Sequence, residues 1–214
     1  MTKKAKVTEL LPILQTLYPY DHVCFLDYDK NRPWQLLIAT ILSAQCTDER
    51  VNKVTLKLFA KYPTLEDFAL ADFEILSQDV RSTGFFRMKA QHIIDSAKII
   101  VTQYNGDLPS DIDVLTALPG VGRKTANVVR GHIFKIPSVV VDTHVKRVST
   151  KLGLVKSPDP VKIEFELMKT LPKEHWIAYN QQIISHGRKV CIARNPKCSE
   201  CTLSHLCKHY ATIN

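Results

Sequence analysis

No stretch of this sequence stays apolar for the roughly 20 residues that a membrane-spanning helix needs. The opening MTKKAKVTELLPIL is basic and mildly amphipathic, but it lacks the apolar core and small-residue cleavage site of a secretory signal. A cytoplasmic setting with no membrane partner is therefore expected. Strand patterning is scarce as well: SVVV at 138–141 is β-branched, yet it is short and leads into a helix cap, so it reads as an extended linker. There is no internal repeat and no low-complexity tract. No segment is rich enough in proline, glycine or serine to cut the chain, KSPDP at 156–160 being the most loop-like. No exposed heptad or interface stripe is visible, and a monomer is the default.

What is present has a helical period almost throughout. In PWQLLIATILSAQ the positions Trp34, Leu37, Ile38, Ile41 and Leu42 share a face, with Pro33 suited to a first turn. TLEDFAL opens with Thr64 three residues before Asp67, the pattern of a capping box. MKAQHIIDSAKIIVTQY places Ala90, Ile93, Ile94, Ala97, Val101 and Tyr104 on one stripe that Asn105-Gly106 ends. Further helices are expected in SDIDVLTAL, capped by Ser110, in VDTHVKRVSTKLGL from Asp142 to about Gly153, in DPVKIEFELMKTL and in WIAYNQQIISHGRKV. The fold class is mainly α, with about ten helices. With 214 residues the chain can form one ordinary domain or two small interlocked ones. Its formal net charge of +8 favours a polyanionic partner, nucleic acid before membrane, provided the charge can be tied to a site.

One such site is LPGVGRKTANVV, residues 118–129. A Pro-Gly-x-Gly between two helical runs makes a tight turn in which Gly120 and Gly122 permit positive φ and clear space around the amides. The helix that follows presents N–H groups and a partial positive charge at its start, an anion site suited to a backbone phosphate. A plain αα-hairpin with glycines for close packing is the alternative. Against it stand Arg123 and Lys124 in the first turn, where cations oppose the helix dipole unless an anion neutralises that end.

The second site is CIARNPKCSECTLSHLC, a C-x6-C-x2-C-x5-C array of Cys191, Cys198, Cys201 and Cys207. Disulfides are not expected in a cytosolic chain, so four thiolates in one compact loop point to zinc or an iron–sulfur cluster. Zinc ribbons more often use two distant C-x2-C pairs, whereas one C-x2-C flanked by wider gaps better suits a 4Fe–4S cubane. A cluster with four cysteine ligands and no open position is structural rather than catalytic. The interleaved Arg188, Lys189, Arg194 and Lys197 make the loop cationic enough to grip phosphates too. Cys24 and Cys46 stand alone and read as small, semi-buried hydrophobes.

These motifs together, LPGVGRKTANVV, then VDTHVKRV with Asp142 18 residues after Lys124, then the cysteine array, resemble bacterial endonuclease III. That family lies in the helix-hairpin-helix and Gly/Pro-Asp superfamily of DNA glycosylases. LLIATILSAQCTD also resembles an early helix of the family, so the likeness runs from about residue 30 to 207. It implies a two-lobed helical fold with a DNA-binding cleft: a six-helix barrel over 26–136, and an iron–sulfur lobe made of 1–25 plus 137–214. It also implies a bifunctional glycosylase and AP lyase of base excision repair, acting on oxidised pyrimidines or abasic sites in duplex DNA at the bacterial nucleoid.

In that reading Lys124 is the nucleophile and Asp142 the carboxylate that stabilises the developing charge. An attacking lysine must be neutral, a state held by roughly one free lysine in a few thousand at pH 7, so burial and a helix N-terminus are expected to lower its pKa. Asp142 is equally well placed as a helix N-cap, and the two roles are compatible. The resemblance further implies that Gln45 fills the gap left by the extruded base, that Asp48 and His144 line the base pocket, and that Gly120, Gly122, Arg123, Arg194 and Lys197 contact DNA. At the wedge position the family usually has leucine; here it is Phe85, which could stack in the duplex instead. An adenine-mispair glycosylase is one alternative, although Lys124 and the absence of a further recognition domain by residue 214 count against it. A non-catalytic iron–sulfur DNA-binding protein is another, but it has no need of the Lys124/Asp142 pair.

Overall fold

The computed structural model describes residues 2–20 and 24–213. Among them are twelve α-helices and no strand. In chain order these are α1 (Lys3–Leu17), α2 (Trp34–Leu42), α3 (Asp48–Lys61), α4 (Leu65–Ala69), α5 (Phe73–Asp79), α6 (Phe86–Tyr104), α7 (Ile112–Ala117), α8 (Arg123–His132), α9 (Thr143–Leu152), α10 (Pro160–Thr170), α11 (Trp176–Lys189) and α12 (Tyr210–Ile213). None of the described helices is long and apolar enough to cross a membrane. The segment SVVV is extended without pairing into a sheet. The chain divides into two compact units, Cys24–Ile136 and Met1–Val23 with Pro137–Asn214.

The unit Cys24–Ile136 is built around α2, all nine residues of which are buried. A helix apolar on every side belongs at the centre of a bundle. Trp34, Phe59 and Phe68 meet edge-on there, with ring centroids 5.7–6.3 Å apart. Each fully buried side chain such as Phe68 or Leu36 contributes about 1.5–3 kcal/mol. The capping box of Thr64 and Asp67 forms as its spacing predicts and starts α4. Along α6, Ala90, Ile93, Ile94 and Ala97 are buried against α4 and α5, and Asn105 ends the helix in the left-handed region at φ 53°. Cys24 and Cys46 pack at the edge of this core, and burial pushes the Cys24 thiol up to about 11.

The second unit packs α1, α9, α10 and α11 around Leu10, Leu14, Val145, Ile163, Leu167 and Tyr179. The buried Tyr179 hydroxyl is satisfied by Ser149 at 2.8 Å. Asp159 caps α10, and Pro160 occupies its first turn, where a missing N–H costs nothing. One cap differs from expectation. The N-cap of α7 is Asp111, whose carboxylate accepts from the amides of Asp113 and Val114, while the Ser110 carbonyl accepts instead from Arg130. A carboxylate facing a helix start gains from the dipole as well as the hydrogen bonds, so the aspartate wins over the neighbouring serine.

Candidate active site and cysteine module

Helices α7 and α8 form a hairpin whose turn is Leu118–Gly122. Gly120 adopts φ +74°, and a Cβ there would lie 2.6 Å from His92 Nδ1, so both conformation and space demand glycine. Its neighbour behaves otherwise. Gly122 has φ −83°, extended backbone that any residue adopts, and open space around its missing Cβ. Of the positive φ that both glycines permit, only Gly120 makes use. Gly122 is the N-cap of α8 and supplies no capping side chain, and the first turn contains no acid. The half-buried Arg123 and exposed Lys124 occupy that turn, so the burial expected for Lys124 is corrected: at the start of α8 its side chain projects into solvent. Among the described residues, no hydrogen bond or ion pair holds the Lys124 amine. The turn itself is fixed from α6, where Ser96 Oγ donates to the Pro119 carbonyl at 2.8 Å.

Gln45 and Phe85 lie in the same unit and share an unusual backbone. Both are non-glycine residues at positive φ, 55° and 48°, and both are exposed, Phe85 by 58%. A bulky residue held in the left-handed region is strained and persists only where its surroundings impose it. One buried side chain links the two loops that carry them. Lys89, 3% exposed, donates from one ammonium to the carbonyls of Leu42 at 2.8 Å and Thr83 at 2.7 Å. Burial holds its pKa below the ordinary lysine value. Asp48 opens α3 behind its N-cap, Thr47, where a carboxylate complements the helix dipole.

In the other unit, Asp142 caps α9. Its Oδ1 accepts from the Val145 amide at 2.7 Å, which fixes the carboxylate and leaves Oδ2 outside the cap. Two residues on, His144 Nδ1 lies 3.1 Å from Arg147 Nη2 and accepts from it, so the ring proton sits on Nε2. Arg147 also donates to the carbonyls of Gly187 and Cys191. A Cβ at Gly187 would come within 2.8 Å of His144, so glycine is required for this packing. The helix start that holds Asp142 and His144 is thus tied directly to the first cysteine of the array.

All four cysteines, unpaired and half-buried, line one pocket together with Val148, Leu152, His186, Val190 and Leu203. Leu203 and Leu206 anchor the loop in the core, and the His209 amide donates to the Lys151 carbonyl. His186 is buried, which lowers its pKa to about 4 and keeps it neutral. Its Nδ1 shares a hydrogen bond of 3.2 Å with the Tyr18 hydroxyl, and Nε2 lies 3.6 Å from Cys201 Sγ. Four soft thiol donors around an apolar pocket fit an iron–sulfur cluster. No group of three or more His, Cys, Asp or Glu among the described residues is drawn together tightly enough for a single metal ion. Arg194 and Lys197 are exposed on the same loop.

Comparison with known proteins gives these sites a context. The model of the HhH-GPD superfamily of base excision DNA repair proteins matches residues 38–173, and that of the iron–sulfur binding domain of endonuclease III matches residues 191–207. The chain belongs to the endonuclease III family of the HhH-GPD superfamily. This family member is 52% identical to Endonuclease III of Synechocystis sp., covering 96% of this chain and 93% of the relative. It is 37% identical to Endonuclease III of Escherichia coli strain K12, with 99% of both chains covered. The solved structure of a trapped endonuclease III–DNA covalent intermediate, an estranged-adenine complex, is similar with TM-score 0.92 and 43% identity over all of this chain and 99% of that one. A thermostable thymine-DNA glycosylase, 24% identical with TM-score 0.83, shares the fold. As an endonuclease III family member, the chain is a DNA glycosylase of base excision repair with AP lyase activity. Its cofactor is a 4Fe–4S cluster.

Proposed function

We propose that the chain excises oxidised pyrimidines from double-stranded DNA and cleaves the strand at the resulting or pre-existing abasic site, with Lys124 as nucleophile. The observation that carries this reading is the start of α8: a cationic first turn with no capping side chain, no acid and an exposed amine. Such a terminus is completed by an anion from outside the protein, and a backbone phosphate supplies one. In this reading residues 26–136 form the barrel lobe, residues 1–25 with 137–214 form the cluster lobe, and the enzyme works in the bacterial cytoplasm on nucleoid DNA.

The target base is hidden in stacked duplex, so the nucleotide must first be extruded, a step that costs least for a poorly stacked damaged base. The neutral amine of Lys124 attacks C1′, a C–N bond forms, and the glycosidic bond breaks with its electron pair leaving on the base. Loss of the amine proton and opening of the sugar give a Schiff base. Removal of a proton from C2′ then expels the 3′ phosphate by β-elimination, and water releases the lysine. Asp142 stays ionised, stabilises the positive sugar and accepts and returns protons through Oδ2 while Oδ1 serves the cap. Asp48 and His144 line the base pocket. Gly120, Gly122, Arg123, Arg194 and Lys197 hold the backbone, and Gln45 and Phe85 enter the stack. Cys191, Cys198, Cys201 and Cys207 hold the cluster, which when bound supplies a rigid, electron-rich cross-link to an otherwise loop-like segment.

The test is single-turnover incubation with a duplex carrying thymine glycol and with its undamaged counterpart, quenched with borohydride. A covalent protein–DNA adduct is expected on the damaged duplex alone, and none with Lys124→Gln. A Lys124→Gln protein that still excises and cleaves would refute the assignment.

A further inference from the structure

Helix α6 carries a polar file that its apolar stripe obscures. Lys89, His92 and Ser96 are spaced i, i+3, i+7 and so share one face, and Phe85 is the N-cap of the same helix. Ser96 and His92 meet the hairpin turn at Pro119 and Gly120. Lys89 holds the two other loops. The Leu42 carbonyl ends α2, a helix with no basic residue in its last turn, and the Thr83 carbonyl ends a short 3-10 turn, Arg81–Thr83. Helix ends expose unpaired carbonyls and a partial negative charge, and a cation is the favourable partner for both. Three residues beyond Leu42 the chain reaches Gln45. Two beyond Thr83, through Gly84 at φ +71°, it reaches Phe85.

We infer that Lys89 is a positioning residue: one buried ammonium terminates both turns and thereby fixes Gln45 and Phe85 in the strained conformations from which they enter the duplex. This rests on the reading of those two side chains given under Proposed function. Burying an ammonium without a carboxylate partner costs free energy that an apolar side chain in the same place would not incur. Its hydrogen bonds go to the two carbonyls whose loops end in exposed, left-handed residues. Preorganisation of that kind matters for catalysis, because a displacement of about 1 Å remote from the chemistry can cost on the order of a hundredfold in rate.

The experiment compares Lys89→Met, which keeps length and apolar packing, with Lys89→Gln, which keeps a donor able to reach one carbonyl. Each holoenzyme is assayed in single turnover on a lesion in fully paired duplex and on the same lesion inside a mismatched bubble, where the stack is already open. Phe85→Ala and Gln45→Ala run alongside, and backbone hydrogen exchange is read over the whole chain. The expected result is a loss at least about tenfold larger on the paired duplex than on the bubble for Lys89→Met. Lys89→Gln should be partly restored, with exchange accelerated at residues 43–46 and 83–86 and unchanged along α9 and α11. Equal losses on both substrates, accelerated exchange spread through the whole unit, or no loss at all would overturn the inference. A paired-over-bubble split for Phe85→Ala and Gln45→Ala but not for Lys89→Met refutes Lys89 alone. No split in any of the three refutes the reading of the loops and takes Lys89 with it. Should Lys89→Met fail to fold, Lys89→Gln decides by the same two readouts.

Discussion

Helices α8 and α9 are of equal length, ten residues each, and their N-termini are built in opposite ways. Helix α9 is closed by its own sequence: Asp142 puts a carboxylate on the Val145 amide at 2.7 Å. Helix α8 starts at a glycine that offers nothing, and follows it with Arg123 and Lys124. The same elementary requirement, partners for the first-turn amides and a negative charge near them, is met by the capping side chain in one case and, in the proposed reading, by a DNA phosphate in the other. In the proposed mechanism the contrast also separates two kinds of catalytic group. The capped carboxylate is held in one orientation by its cap, whereas the lysine is exposed and free to move to its target.

The largest effect expected from breaking this contrast is at Lys124. Lys124→Gln should lower strand cleavage by on the order of a thousandfold or more, as nucleophile removal commonly does. Because the residue is exposed, thermal stability and the visible absorption of the cluster should stay within error. A loss of absorption together with activity would mean that the variant had damaged the fold instead. Asp142→Asn comes next. Asparagine is as good an N-cap as aspartate, so stability should change by no more than about 0.5 kcal/mol. The rate should still fall about 100- to 1000-fold with the charge gone, and borohydride trapping should slow in step. Asp142→Ala separates the roles further, since it should add a stability loss of about 1 kcal/mol that Asp142→Asn lacks. If the asparagine variant were fully active, the carboxylate would be a cap and nothing more.

Gly120→Ala tests the turn rather than the chemistry. A Cβ set 2.6 Å from the His92 ring, on a backbone at φ +74°, combines overpacking with strain, and a destabilisation of about 1–3 kcal/mol is expected in chemical or thermal unfolding. Pairing it with His92→Ala should recover the steric part and leave the backbone part. A Gly120→Ala protein as stable as the parent would show that the turn relaxes freely.

The sequence carried these features unequally. The caps of α4, α9 and α10 were legible because each is local: a Thr, Asp or Asp-Pro at fixed distance from an apolar run, with no distant residue able to override it. The cysteine array was legible for the same reason, whereas the pairing of Lys124 with Asp142 came from the family resemblance and remains a proposal. Helices α3 and α5 are harder to read: α3 buries Val51, Thr55 and Leu58 at helical spacing, but Thr55 is polar and the apolar Leu56 is exposed, while α5 buries only Leu76 and Ser77. Which glycine of PGVG uses its conformational freedom is not legible, because the two look alike until their φ angles, +74° and −83°, are known. Lys89 was out of reach altogether. A lysine between Met88 and Ala90 looks like any surface charge, and only the fold brings the carbonyls of Leu42 and Thr83, 47 and 6 residues away, onto one ammonium.

The smallest effect expected is also the one that addresses the opening contrast most directly. Gly122→Ser gives α8 the kind of side-chain cap that α9 has, without adding charge, at a position where the new atoms meet open space and φ −83° is already ordinary. Serine in place of a capping glycine should stabilise the protein by only a few tenths of a kcal/mol. The same hydroxyl would occupy an amide that the proposal reserves for phosphate. Affinity for undamaged duplex at low salt should therefore fall by about two- to tenfold, the equivalent of one ordinary hydrogen bond. A steady rise in stability with no change in affinity would mean that the open terminus of α8 faces solvent rather than DNA, and the difference between the two helix starts would then be one of sequence history and not of function.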